Sequence, residues 1–284
     1  MVNTIDELIL KKIIDCYHEN LPEGFMLIDE ALQYKLKQAL IGKSYVVHDE
    51  EFCGFLIILP YDRNIAFNPW FFNGYPIGSC PKKLLQEGLN FFEQSNYNRV
   101  ELIGDSQYLA GKEIEMSFGY NYKDMIKRLK VGYKEKYKFS HVHQFDLLTL
   151  QAIYHKAFLA GDAKFYQIQN PIERKEFWKY LNYDKAVEDP CSLVFVKDDK
   201  PIGFIFICPD GHLNRHISCM CILPEYQGLG YGVELLKAVL NRAYLLGDKT
   251  ITLGTETTMK AYQLYKKFGF IDIKEKSYYI KMHS

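Results

Sequence analysis

From Ile222 to Gly232 the chain reads Ile-Leu-Pro-Glu-Tyr-Gln-Gly-Leu-Gly-Tyr-Gly. This places glycines at 228, 230 and 232 between a strand-like segment that stops at Pro224 and an amphipathic run from Val233 to Leu246. A helix starting there has first-turn N–H groups without intrahelical partners. Glycine lets the main chain turn tightly and approach a diphosphate closely enough for several of those N–H groups to bond to it. The helix dipole adds a favourable potential, so the stretch reads as an anion cradle. It is neither of the commonest phosphate loops. Val233 stands where GxGxxG needs its third glycine, and no Gly-Lys-Ser/Thr follows as a P-loop requires.

The spacing Gln227-x-x-Gly230-x-Gly232, with Pro224-Glu225-Tyr226 ahead of it, resembles the (Gln/Arg)xxGxG signature of the GCN5-related N-acetyltransferase (GNAT) family. Downstream, Ala261 to Phe270, AYQLYKKFGF, is similar to that family's AxxLYxxxGF helix and turn, with Thr258 where the family pattern has Asn. The resemblance implies an α/β fold, a mixed and mostly antiparallel sheet flanked by helices. It also implies acetyl-CoA as acyl donor and a primary amine as acceptor. By the same resemblance, Gln227, Gly228, Leu229, Gly230, Tyr231 and Gly232 hold the diphosphate. Main-chain groups of Cys221, Ile222 and Leu223 pair with the pantetheine arm like an added strand and polarise the thioester. Thr258 and Ala261 lie along the same arm.

Acyl transfer to an amine needs a group to take the amine's proton and a donor to meet the departing thiolate. Tyr265 stands where the family places its general acid; otherwise it is a core tyrosine on the stripe Ala261, Leu264, Tyr265, Phe268. His216, eleven residues before Gln227, stands where several family members carry the proton acceptor. An imidazole of reference pKa ~6.5 suits that task, and a solvated strand-end histidine reads equally well from the residues alone. Cys219 and Cys221 form a CxC without a His-Asp partner pattern, which favours buried, inert thiols. No His or Cys grouping has metal-ligand spacing, so no catalytic metal is expected. A non-catalytic acyl-CoA sensor and an aminoacyl or longer-acyl transferase fit the same cradle.

The whole chain has 35 Lys and Arg against 35 Asp and Glu, so no global field draws it to nucleic acid or to an anionic membrane. Seven cysteines without a CxxC pair argue for a reducing compartment. The N-terminus does not read as a signal peptide, and the longest apolar run, Phe55 to Leu59, is too short to cross a bilayer. The expectation is a soluble, cytoplasmic protein.

The positioning elements come in two copies. Gly104 and Gly254, and likewise Phe118-Gly119 and Phe268-Gly269, are 150 residues apart; Gly54 and Gly203 are 149 apart. Two tandem domains are expected, at 1–133 and 140–284, joined by the Lys- and Tyr-rich stretch from Val131 to Ser140. Thr4 to Glu7 reads as a capping box for the first helix. In the first copy Gly78 lies opposite Gly228, but Ile77, Cys80 and Pro81 replace Gln227, Gly230 and Tyr231, and Glu115 replaces Tyr265. A proline without N–H and a cysteine Cβ spoil the cradle, so this copy keeps the fold and loses the site. In the second copy, strands at Leu193 to Val196, Ile202 to Cys208 and His216 to Leu223 precede a helix from Tyr231 to Leu246. Simple alternation puts His216, Ser218, Met220 and Ile222 on one face and Ile217, Cys219, Cys221 and Leu223 on the other. A helix beginning at Asn170-Pro171 and the aromatics Phe165, Tyr166, Trp178 and Tyr180 are candidates to line the acceptor pocket, with ordinary core packing as the alternative.

Overall fold

The computed structural model describes residues 2–19, 30–48, 54–61, 64–71, 80–109, 116–130, 132–161, 163–164, 166, 181–210 and 214–283. The chain folds as two compact units, one of residues 1–121 with 275–284, the other of 122–274. The sequence suggests one cut, between 133 and 140. The chain passes between the two compact units twice, within two strands of 12 residues each, Ser117–Arg128 and Ile271–Met282. Where these strands pair depends on partners far away in sequence, so local composition carries no trace of the crossing. The stretch read as a linker packs: Tyr133, Tyr137 and Phe139 lie against the core of the second unit.

The first unit runs β1 (Asn3–Thr4), α1 (Glu7–Glu19), α2 (Glu30–Leu40), β2 (Tyr45–His48), β3 (Gly54–Tyr61), β4 (Asn64–Phe71), α3 (Cys80–Glu93), β5 (Arg99–Asp105), α4 (Ser106–Leu109) and the start of β6 (Ser117–Arg128). Its strands order β1-β2-β3-β4-β5, followed by residues 276–282 of the last strand of the chain. Neighbours are antiparallel except β4 and β5, which run parallel with α3 as their crossover. Asp6, not Thr4, caps α1: its Oδ1 accepts the N–H of Ile9 at 2.8 Å, while Thr4 pairs with Tyr45. Cys80 and Pro81 open α3, where a proline is tolerated in the first turn. Ile77, Gly78 and Glu115 lie outside the described residues.

The second unit begins with residues 122–128 of β6 and continues through β7 (Ser140–His141), α5 (Leu147–Leu159), α6 (Tyr183–Glu188), β8 (Leu193–Lys197), β9 (Lys200–Pro209), β10 (Asn214–Ile222), α7 (Tyr231–Leu245), β11 (Thr250–Glu256), α8 (Lys260–Lys267) and β12 (Ile271–Met282). The strand order is β6-β11-β10-β9-β8-β7, antiparallel except for β10 and β11, which α7 connects. Among the described residues the two units thus share an element order and one parallel pair each, bridged by a helix.

The apolar run Phe204-Ile205-Phe206-Ile207 in β9 explains itself through two covered faces. Ile205 and Ile207 pack with Leu235, Leu236, Val239 and Leu240 of α7, and Phe204 and Phe206 pack with Leu150, Ile153 and Tyr154 of α5. The buried side of α7 is broader than a stripe through Val233, Leu236, Leu240 and Ala243; Leu235, Ala238 and Val239 are buried too, and Val233 is only half-buried. Gly247, at φ 88°, ends it, and the Asp248 N–H returns to the Ala243 carbonyl at 3.0 Å.

Arg215 at the start of β10 joins two buried carboxylates: Nη1 bonds Asp189 Oδ2 and Nε bonds Asp248 Oδ2. Burial pushes the Asp189 carboxyl up, against the opposing pull of the Cys191 N–H and the guanidinium. Removing one partner of such a group leaves uncompensated buried charge. Arg215→Met is therefore expected to cost ~3–5 kcal/mol in urea unfolding. A carboxyl whose folded pKa lies above its unfolded one loses stability as pH rises through the folded value. The deficit should therefore be smaller at pH 5 than at pH 7. An unchanged urea midpoint would show that the cluster stabilises nothing.

Candidate active site

β10 and β11 begin together and then part. They pair in parallel only from Asn214 to Ile217 against Thr250 to Leu253, whereas β10 stays paired with β9 up to Ile222 and β11 stays paired with β6 up to Glu256. A register shift against β9 between Ile217 and Cys219 marks a β-bulge at the parting point. The bulge also corrects the faces expected from simple alternation. Ile217 lies with Met220 and Ile222 on the α7 side, while Cys219, Cys221 and Leu223 lie on the α5 side. One extra residue moves Ile217 and Cys219 to opposite faces. The parted edges leave a slot with the shape of a missing strand.

The slot ends at the glycine stretch. After a 3-10 turn at Pro224–Tyr226, Gly228 at φ 76° and Gly230 at φ 87° take left-handed backbone that other residues adopt only with strain. A Cβ built on either would meet nothing within 4 Å, so the space before this backbone is open. α7 starts at Tyr231 with no side-chain cap, and among the described residues no backbone acceptor takes up the N–H groups of Gly228 to Val233. Gln227 Nε2 donates to the Ile222 carbonyl at 2.8 Å and ties the loop to the end of β10. Leu223 is not free to meet a ligand through its amide, which donates to the Ile202 carbonyl at 2.8 Å. By strand alternation the main-chain groups of Met220 and Ile222 face the slot. Leu229 is 65% exposed, and Tyr231 is wedged among the rings of Phe195, Tyr226 and Tyr137.

Tyr265 projects from α8 into the core, 6% exposed, beside Phe270. Burial and then the neighbouring Cys219 and Cys221 hold its hydroxyl well above the ordinary tyrosine range, so it stays protonated. His216 lies before the bulge, where it is the register partner of Thr252, and its Nδ1 is 2.9 Å from Thr252 Oγ1. Ala261 is half-buried on α8, and Thr258 donates its hydroxyl to Glu256 Oε2 at 3.3 Å. The thiols suit an inert role. Burial and Cys221 push Cys219 up, burial raises Cys208, and burial raises Cys191 to about 12. A thiol with a raised pKa is a poor nucleophile at neutral pH.

Among the pocket aromatics Tyr166 is buried, with its hydroxyl 2.8 Å from His155 Nδ1 and its ring stacked on Phe158, which is core packing. Phe165, Trp178, Tyr180 and the helix start at Asn170-Pro171 lie outside the described residues. Sequence reasoning passed over Glu256, a fully buried carboxylate at the end of β11 that accepts the Lys164 N–H at 3.0 Å. It also passed over Thr252 and Asp210, whose side chains meet at 3.0 Å. Their partners are 92 and 42 residues away, and no local pattern signals them. Among the described residues there is no group of three or more metal-ligating side chains, and no helix is long and apolar enough to cross a membrane.

Residues 151–270 match the family model of the acetyltransferase (GNAT) family, a span that holds the slot, the glycine cradle and Tyr265. The [ribosomal protein bS18]-alanine N-acetyltransferase of Haemophilus influenzae is 34% identical over 92 residues, 32% of this chain. The chain spans 62% of the length of that relative. A GCN5-related N-acetyltransferase from Sphaerobacter thermophilus is similar in fold over 99% of this chain and 95% of its own, with a TM-score of 0.69 at 14% identity. A tandem GNAT protein from the clavulanic acid biosynthesis pathway is similar over 99% and 96%, with a TM-score of 0.62 at 8% identity. Parted strands, cradle and fold agree: the chain has the α/β GNAT fold, and its segment 151–270 matches the acetyltransferase (GNAT) family.

Proposed function

We propose that this chain is an N-acyltransferase that moves an acetyl group from acetyl-CoA to a primary amine by direct attack. The observation that carries the reading is the parting of β10 from β11 at a bulge, with the slot ending at left-handed glycines and an uncapped helix N-terminus. Cys221, Ile222 and Leu223 border the slot, Met220 and Ile222 turn main-chain groups toward it, and the loop from Gln227 to Gly232 takes the diphosphate. Thr258 and Ala261 flank the cofactor arm. The neutral amine attacks the thioester carbon; a C–N bond forms, the amine sheds a proton to His216, and the C–S bond breaks with Tyr265 donating to the departing sulfur. No metal takes part in this scheme.

The segment 140–284 acts as the catalytic domain and 1–133 as a second GNAT-like copy without a working cradle. The shared element order of the two units supports the pairing, as does likeness to a protein described as a tandem GNAT. The bS18-alanine specificity of the relative makes a protein N-terminal amine the first acceptor class to try. Cysteines outside any disulfide fit a reducing, cytoplasmic setting.

The test is thiol release from acetyl-CoA in the presence of peptides with N-terminal alanine, polyamines and aminoglycosides. Amine-dependent release in wild type, reduced about 100-fold in His216→Ala, is the expected outcome. Tight acetyl-CoA binding without release for any amine would leave a sensor instead, and release only from aminoacyl or longer-acyl donors would change the donor.

A further inference from the structure

We infer that Thr252 and Asp210 are positioning residues that set the tautomer of His216 and direct its proton-accepting lone pair to Nε2. The inference rests on the role given to His216 above and goes further, because it names the atom that takes the proton and the groups that decide this.

Among the described residues Thr252 Oγ1 has three polar neighbours: His216 Nδ1 at 2.9 Å, Asp210 Oδ2 at 3.0 Å and the Arg215 carbonyl at 3.4 Å. A hydroxyl has one proton to give, and both the carboxylate and the carbonyl only accept. The proton of Thr252 therefore goes to one of those two, with the nearer and charged Asp210 favoured. The same oxygen must then accept from the imidazole, so Nδ1 carries the hydrogen and Nε2 carries the lone pair. The geometry is fixed from both strands. His216 and Thr252 are register partners in the paired part of β10 and β11. Asp210 is held at the end of β9 by its own N–H, which donates to the Asn214 carbonyl at 3.0 Å.

When Nε2 takes the proton shed by the amine, the ring becomes an imidazolium donating from both nitrogens. The Nδ1–H already points at Thr252, whose hydroxyl is oriented by the Asp210 charge. The Nδ1–H bond to Thr252 is kept through the transfer, which is how a preorganised base lowers a barrier. Ordinary neutral imidazole prefers the other tautomer, so its occurrence in the folded protein has to be imposed.

The experiment is ¹⁵N NMR of the His216 side chain in the full chain without acyl donor, at a pH where the ring is neutral, in wild type, Thr252→Val and Thr252→Ser. Valine keeps the β-branched shape of threonine and removes the hydroxyl, and serine restores it. The expected result is a protonated Nδ1 in wild type and Thr252→Ser and a shift to protonated Nε2 in Thr252→Val. Alongside, kcat is expected to fall 10–100-fold in Thr252→Val and to recover in Thr252→Ser, with KM for acetyl-CoA unchanged. Protonated Nε2 in wild type, or a ring that ignores Thr252→Val, overturns the inference even if turnover is normal. Protonated Nδ1 in a protein that transfers no acyl group would instead uphold the tautomer and sink the function proposed for it.

Discussion

Gly230→Trp is expected to raise the Kd for acetyl-CoA by at least 100-fold while leaving the fold intact. Two separate effects add up to this loss. Gly230 has φ 87°, so any L-residue there costs about 1–2 kcal/mol of backbone strain. A loss of that size lowers Tm by a few degrees and does not unfold a unit of ordinary stability. The second effect is larger. The space in front of Gly230 is open, and an indole fills the volume a diphosphate needs. Two lost hydrogen bonds to a charged group, at ~1.5–3 kcal/mol each, correspond to roughly 10²- to 10⁴-fold in affinity. Gly228→Ala, at φ 76° and with equally open space, is the control for strain alone. It should lose a similar few degrees in Tm and far less affinity. The measurement is calorimetric titration with acetyl-CoA beside thermal unfolding. Undiminished affinity in Gly230→Trp would place the donor site elsewhere, the upstream copy being the first place to look.

What was legible in the sequence was what short-range physics controls. Left-handed turns select glycine, so Gly228 and Gly230 announced their loop. Strand and helix periodicity announced β8, β9, β10 and α7 to within a few residues, and Gly247 announced where α7 stops. What stayed hidden depends on long-range pairing or on a single inserted residue. The bulge after Ile217 leaves no local mark, yet it reverses the faces on which Ile217 and Cys219 sit. Leu223 looked like a free slot-facing amide until its pairing with Ile202 was visible. The strands Ser117–Arg128 and Ile271–Met282 look like ordinary strands at the end of each copy, and only their partners show that each leaves one compact unit for the other. Asp210, Thr252 and Glu256 share this property. Each is unremarkable in sequence, and each owes its place to a side chain or amide tens of residues away.

Tyr265→Phe is expected to lower kcat by about 10²- to 10⁴-fold with little change in KM for acetyl-CoA, the mark of a group used in the transition state and not in binding. The phenol of Tyr265 lies in the core. Burial, with Cys219 and Cys221 beside it, raises its pKa above the ordinary value, so the hydroxyl holds its proton throughout the neutral range. A departing thiolate therefore meets a donor at every working pH, and Tyr265 contributes no ionisation to the pH–rate profile below about pH 10. The shift also has a consequence for stability. A folded-state pKa above the unfolded one gives a contribution that is present below the unfolded value and lost as pH rises through the folded value. The wild type should accordingly lose stability relative to Tyr265→Phe only above about pH 10, and the two should unfold with parallel pH dependence below it. Because phenylalanine fills the same site against Phe270, the variant is expected to fold and to bind acetyl-CoA as before. Full turnover by Tyr265→Phe at saturating substrate would remove the tyrosine from the chemistry and return it to the core stripe of α8. A kcat loss accompanied by an equal loss of acetyl-CoA affinity would assign it to shaping the slot instead.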